Sequence, residues 1–91
     1  MRLQAFFFGH VQGVGFRYTV QSVAGGFAVT GWVRNRSDGS VEVVAEGSTE
    51  ELKAFVAEIE RSMSGYIDSK KVMIDDTATG EFDDFSIRGT H

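Results

Sequence analysis

Leu3, Ala5 and Phe7 alternate with Gln4, Phe6 and Phe8 at the start of the chain. A period of two with apolar residues in both sets predicts a strand with both faces mostly covered. Phe16, Val20, Val23, Ala24 and Phe27 then recur at i, i+4, i+7, i+8 and i+11, which is one face of a helix, and Gly25-Gly26 supplies a C-cap pair. From Phe27 to Asn35 the pattern is strand-like again, with Val29, Gly31 and Val33 on one side and Thr30, Trp32 and Arg34 on the other. Ser37-Asp38-Gly39-Ser40 is turn chemistry. Beyond it, Val41, Val43 and Ala45 alternate with Glu42, Val44 and Glu46, the second arm of a hairpin. Ser48 is placed to cap a second helix, with Glu51 completing a capping box. Leu52, Phe55, Val56, Ile59 and Met63 carry that helix's apolar face until Ser64-Gly65 stops it. Lys70 to Asp75 predicts a strand, Thr77 to Gly80 a loop, and Phe82, Phe85 and Ile87 a last short strand.

The order β-α-β-β-α-β-β contains the split β-α-β pattern in its first six elements. The expected fold class is therefore α+β: a ferredoxin-like βαββαβ sandwich, two helices on one face of an antiparallel sheet, with a short fifth strand. Residues 1–91 are expected to form a single domain. The hydrophobic fraction of 42%, with eight Phe, is enough for one core. The absence of cysteine excludes disulfides and thiolate metal sites from these residues. His10 and His91 stand at opposite ends of the chain, so no zinc-type cluster forms from them. Asp75-Asp76 and Glu81-Asp83-Asp84 lack calcium-loop spacing. Neither a metal nor another cofactor is expected. The opening residues are too short an apolar run for a signal peptide, and no stretch reaches the ~20 apolar residues of a membrane span. A cytoplasmic monomer with no membrane partner is the expectation.

Charge and glycine placement change the picture around Gly9 to Arg17, which reads G-H-V-Q-G-V-G-F-R. A strand, a glycine-rich loop and a helix in that order aim backbone N–H groups at one place, at the positive end of a helix dipole. Glycine allows positive φ and close approach to a ligand, and Arg17 adds a fork that matches phosphate geometry. The stretch predicts an anion cradle for a phosphoryl group. It is not a Walker loop, because no G-K-[ST] follows, nor a dinucleotide fingerprint, because Tyr18 occupies the third-glycine position. With a formal net charge of −4, the cradle suits a small anion better than a long polyanion, and no nucleic-acid partner is expected. Phe6, Phe8 and Trp32 could line the less covered sheet face as in RNA-binding sheets, but the aromatic signature of those modules is missing.

Topology adds a second residue. The first two strands of the ferredoxin-like order end at the same sheet edge with the third strand between them, which brings the cradle and Asn35 about 9–10 Å apart. Arg17 and Asn35 then face one small cavity. Asn35 can orient a water but is no base, so the pair suits phosphoryl transfer to water with a leaving group that needs no proton. A carboxylate leaving from an acyl phosphate meets that condition.

These residues, with G-W-V-R-N at Gly31–Asn35, D-G-S-V-E-V at Asp38–Val43, A-E-G at Ala45–Gly47 and F-S-I-R at Phe85–Arg88, resemble the acylphosphatase family over essentially the whole chain. The resemblance implies a metal-independent hydrolase that cleaves small acyl phosphates to a carboxylate and inorganic phosphate. It implies that Arg17 binds the phosphate, aided by N–H groups of the loop Val11, Gln12, Gly13, Val14, Gly15 and Phe16. It also implies that Asn35 orients the water and that a substrate phosphate oxygen takes its proton. This chain departs from the common pattern at His10, where many members have a basic residue, at Arg36, where Thr or Ser is frequent, and at the variable position held by Gly15. Two alternatives remain open: a non-catalytic ferredoxin-like module for a small anion or nucleic acid, and a carbamoyl-phosphate-handling domain of the kind found in larger maturation enzymes.

Overall fold

The computed structural model describes residues 1–90. In chain order its elements are β1 (Arg2–Gly9), α1 (Phe16–Ala24), β2 (Thr30–Asn35), β3 (Val41–Glu46), α2 (Thr49–Ser62), β4 (Ile67–Asp75) and β5 (Phe85–Arg88). The strands form one sheet in the order β4-β1-β3-β2-β5, so β3 does lie between β1 and β2. The pairings β1–β3, β1–β4 and β2–β3 are antiparallel. The ferredoxin-like α+β arrangement expected from the element order is what the chain adopts.

The fifth strand refines that expectation. β5 pairs with β2 in parallel, which makes the sheet mixed. The cause is the route of the preceding segment. β4 ends at Asp75, level with Arg2 at the start of β1, and β5 starts at Phe85, level with Gly31 near the start of β2. The chain between them therefore crosses beneath the sheet along one edge. It is held there by Glu46, whose carboxylate accepts from the Thr79 N–H at 3.0 Å and the Gly80 N–H at 2.9 Å. Arg2 pairs with Glu81 at 3.4 Å on the way and lies over the Phe82 ring at 5.3 Å.

Leu3, Ala5 and Phe7 of β1 are fully buried, as are Val33 of β2 and Val41, Val43 and Ala45 of β3. They meet Phe16, Val20 and Ala24 of α1 and Leu52, Phe55, Val56 and Ile59 of α2 in one core. Each such Leu, Ile or Phe contributes about 1.5–3 kcal/mol by leaving water. Every residue of β3 is buried, which its central place in the sheet requires. At Gly31 the neighbouring strand comes too close for a side chain: an added Cβ would lie 1.9 Å from the Val44 carbonyl oxygen.

Three boundaries differ from the periodicity. Phe27 belongs to the turn after α1, closed by Gly26 N–H to Val23 and Phe27 N–H to Ala24, and its ring packs 6.2 Å from Phe55. β2 accordingly begins at Thr30. β4 begins at Ile67 instead of Lys70 because β1 continues the pairing as far as Gly9, past an irregularity at Phe8/Gly9. Phe82 falls in the crossing segment, and the last strand starts at Phe85. The capping box is also only half made. Ser48 Oγ accepts from the Glu51 N–H at 3.1 Å, but Glu51 Oε1 accepts from the Ala28 N–H at 2.7 Å and so ties the turn after α1 to the start of α2.

The sheet face away from the helices is polar. Arg34 and Arg88 hold their guanidinium carbons 4.7 and 4.8 Å from the Trp32 ring, and Arg36 covers Phe6 at 4.9 Å. Trp32 is only 7% exposed. Buried Glu42 accepts from Gln4 and from Arg34, each at 2.9 Å. Of the three rings that could have served as a stacking platform, Trp32 and Phe6 are thus overlaid by the chain's own cations, and Phe8 is exposed.

Candidate active site

β1 delivers the chain to the sheet edge, and the loop from His10 to Gly15 turns it into α1. The loop has an apolar underside: Val11 and Phe16 are buried, and Val14 packs partly on the core. Phe16 meets Phe7 at 5.4 Å between ring centroids, which seats the first turn of α1 over the end of β1. Gly13 and Gly15 lie on the other side, exposed, with φ of 77° and 76°. An added Cβ at either would meet nothing within 4 Å. Their glycine is therefore required by the backbone conformation and not by crowding.

Gly15 is the N-cap of α1 and offers no side chain to the helix, whose first turn also lacks acidic residues. The other helix is the opposite case: α2 has the Ser48 hydroxyl as its cap and Glu50 and Glu51 in its first turn. The orphan N–H groups and positive dipole end of α1 are thus not neutralised by a capping side chain. Arg17, the second residue of that helix, is half-buried and makes no ion pair among the described residues. Positive charge collects at this point of an acidic protein.

Asn35 closes β2 at the same edge. It pairs with Val41 of β3, and Val41 pairs on its other side with Phe7 of β1. Two strand spacings separate the ends of β1 and β2, about 9–10 Å. Asn35 shares the parity of buried Val33 and so belongs to the helix-covered face, on which α1 begins. Arg34 and Arg36 have the opposite parity. Arg34 is engaged with Trp32 and Glu42, and Arg36 lies over Phe6 with Asp38 3.9 Å away. The cation that departs from the usual residue after Asn35 therefore sits on the other face of the sheet. His10 is exposed, its ring 6.3 Å from that of Tyr66.

The β2–β3 turn is rigid. Asp38 accepts from the Ser40 hydroxyl at 2.6 Å and from the Ser40 N–H at 2.9 Å; the hydroxyl bond, then the backbone bond, holds its carboxyl below the usual range. Sequence reasoning missed how this turn joins the glycine loop. Gln12 Nε2 donates to the Arg36 carbonyl at 2.8 Å and to the Ser40 carbonyl at 2.9 Å. The loop pattern assigns Gln12 only a main-chain role. No periodicity marks a side chain whose partners are two main-chain oxygens 24 and 28 residues away.

Among the described residues no group of three or more His, Cys, Asp or Glu side chains could hold a metal ion, and no helix is long and apolar enough to cross a membrane.

Comparison with known proteins assigns the frame in which this edge stands. The acylphosphatase family model matches residues 3–87. An acylphosphatase of Paenarthrobacter aurescens is 46% identical over 88 residues, covering 96% of this chain and 93% of the relative. One from Methanospirillum hungatei is 44% identical over 80 residues, 88% of each. The crystal structure of acylphosphatase from Bacillus subtilis superposes with a TM-score of 0.84 at 34% identity, covering 96% of this chain and 97% of that one. The match in sequence and in fold runs through the glycine loop, both helices and all five strands, and the chain belongs to the acylphosphatase family.

Proposed function

We propose that this chain hydrolyses small acyl phosphates to a carboxylate and inorganic phosphate without a metal ion, with Arg17 and the main-chain N–H groups of Val11 to Phe16 holding the phosphoryl group and Asn35 orienting the water. Arg17 and the N–H groups at the start of α1 neutralise the phosphoryl oxygens, each charge-assisted bond contributing about 1.5–3 kcal/mol. Asn35 holds a water on the side of phosphorus opposite the acyl oxygen. The water oxygen bonds to phosphorus as the bond from phosphorus to the acyl oxygen breaks. The electron pair leaves with the carboxylate, and the water proton passes to a phosphoryl oxygen. No protein base is needed, because a carboxylate leaves without protonation and Asn35 has none to offer. All the named groups come from one chain, so we take the monomer as the active unit.

The observation that carries this reading is the row Phe7–Val41–Asn35. It puts the end of β2 two strand spacings from the end of β1, the strand that leads into the uncapped, arginine-bearing start of α1, and it supports the reading in a family whose members are named for this reaction. The test is phosphate release from acetyl phosphate and benzoyl phosphate in excess chelator. Steady turnover with both is expected. No release, or release only after a divalent cation is added, would sink the proposal.

A further inference from the structure

The proposed chemistry draws its two halves from segments that are not joined along the chain. The phosphate cradle is the β1–α1 loop, and the water-orienting amide stands at the end of β2. Nothing in the β-ladder fixes that loop relative to the turn beyond Asn35, because the loop lies outside the paired residues of β1. Gln12 supplies the missing connection. Its two amide hydrogens go to the carbonyls of Arg36 and Ser40 at 2.8 and 2.9 Å, one of them on the residue that follows Asn35. Both partners are acceptors only, which settles the orientation of the amide: the NH2 group must face them.

Those two carbonyls already close the hairpin. The Arg36 N–H donates to the Ser40 carbonyl at 2.9 Å and the Gly39 N–H to the Arg36 carbonyl at 3.1 Å. Gln12 takes their second lone pairs, and the Asp38 carboxylate accepts from the N–H and hydroxyl of Ser40. The loop is thereby bolted to the rigid part of the turn.

We propose that Gln12 is a positioning residue for hydrolysis: its side chain sets the distance between the phosphate cradle and Asn35, and it acts through Asn35 without touching substrate. The inference rests on the hydrolytic reading above. A misplacement near 1 Å between reacting groups can cost on the order of 100-fold in rate, whereas the cradle itself, built from Arg17 and main-chain N–H groups, survives loss of the tie.

The test uses Gln12→Met, which keeps length and volume and removes both donors. Its kcat on benzoyl phosphate should fall about 10- to 100-fold, while the inhibition constant of inorganic phosphate stays within about threefold of the parent (a factor of ten is 1.4 kcal/mol). In an Asn35→Ala background the same substitution should cost less than about twofold, because two residues acting as one unit are not additive. An unchanged kcat in Gln12→Met overturns the inference. So does a parallel loss of kcat and phosphate affinity, or a full additional loss in the Asn35→Ala background. Should Gln12→Met fail to fold, Gln12→Asn, which withdraws the amide by one methylene, is read by the same criteria. A parent protein that releases no phosphate ends the hydrolytic reading and this inference with it; a parent that turns over beside an indifferent Gln12→Met ends the inference alone.

Discussion

Arg17 and Asn35 divide the proposed work, and their substitutions should separate it. Asn35→Ala leaves the cradle whole, so phosphate inhibition should persist while turnover drops on the order of 100-fold or more. Arg17→Gln removes the charge and the fork, and both turnover and phosphate binding should fall, the latter by at least about 100-fold if two charge-assisted bonds are lost. Arg17→Lys should recover little, because a point charge does not reproduce two parallel donors. Steady-state kinetics with inorganic phosphate as competing ligand checks all three, and an active Asn35→Ala would remove that residue from the mechanism. The places of these two residues, Arg17 at the start of α1 and Asn35 at the end of β2, were legible in the sequence because the helix and strand periodicities change there. Gln12 was not, because its partners are carbonyls that every residue carries. Nor was the placing of Arg36 over Phe6 legible. Strand alternation assigns Arg36 to the opposite face from Asn35, but only the fold shows which ring waits there.

At the scale of elements, the two helix starts show how one sequence signal can hold and its companion fail. Ser48 caps α2 as its spacing predicts. Glu51 was expected to complete the box, yet its carboxylate goes to the Ala28 N–H. A capping box is a local option, and a backbone donor brought close by the turn after α1 outcompetes it. Ser48→Ala should therefore cost about 1 kcal/mol. Glu51→Ala should cost a similar amount, about 1–2 kcal/mol, by a different route. The distinguishing measurement is amide exchange: Ala28 should lose protection in Glu51→Ala and keep it in Ser48→Ala. If instead the Ser48 N–H loses protection in Glu51→Ala, the reciprocal box is present after all. The start of α1 shows the reverse economy. It is left without a capping side chain, which is what the proposed binding of an anion from solution would require.

For the molecule as a whole, the buried Glu46 carboxylate is one of the anchors that hold the segment between β4 and β5 under the sheet, and that makes its hold sensitive to acid. The Thr79 N–H, with the Gly80 N–H and Arg2, holds Glu46 below its ordinary range. A folded-state value below the unfolded one means that the contribution is complete above the unfolded value, about 4.3, and is lost as pH falls through the lower folded one. Asp38 and Glu58 are lowered as well, by the Ser40 hydroxyl and by Arg61 respectively, and act in the same direction. Urea midpoints should therefore decline below about pH 4.3. Glu46→Gln should be less stable at neutral pH and should decline less on acidification. Parallel profiles for the two proteins would show that Glu46 does not carry the effect. By itself, the sequence determined the seven elements, their order, the apolar faces of both helices and of β3, and the common end of the sheet at which β1 and β2 finish. Hydrophobic period and turn chemistry are local, and chain connectivity with the right-handed crossover leaves few ways to assemble them. Only the tertiary structure decided the parallel direction of β5, the partner of Glu51 and the bolt made by Gln12. Periodicity records that a residue faces inward or outward, whereas a polar side chain's partner is chosen among many equivalent backbone groups by proximity in space, and that proximity exists only once the chain has folded.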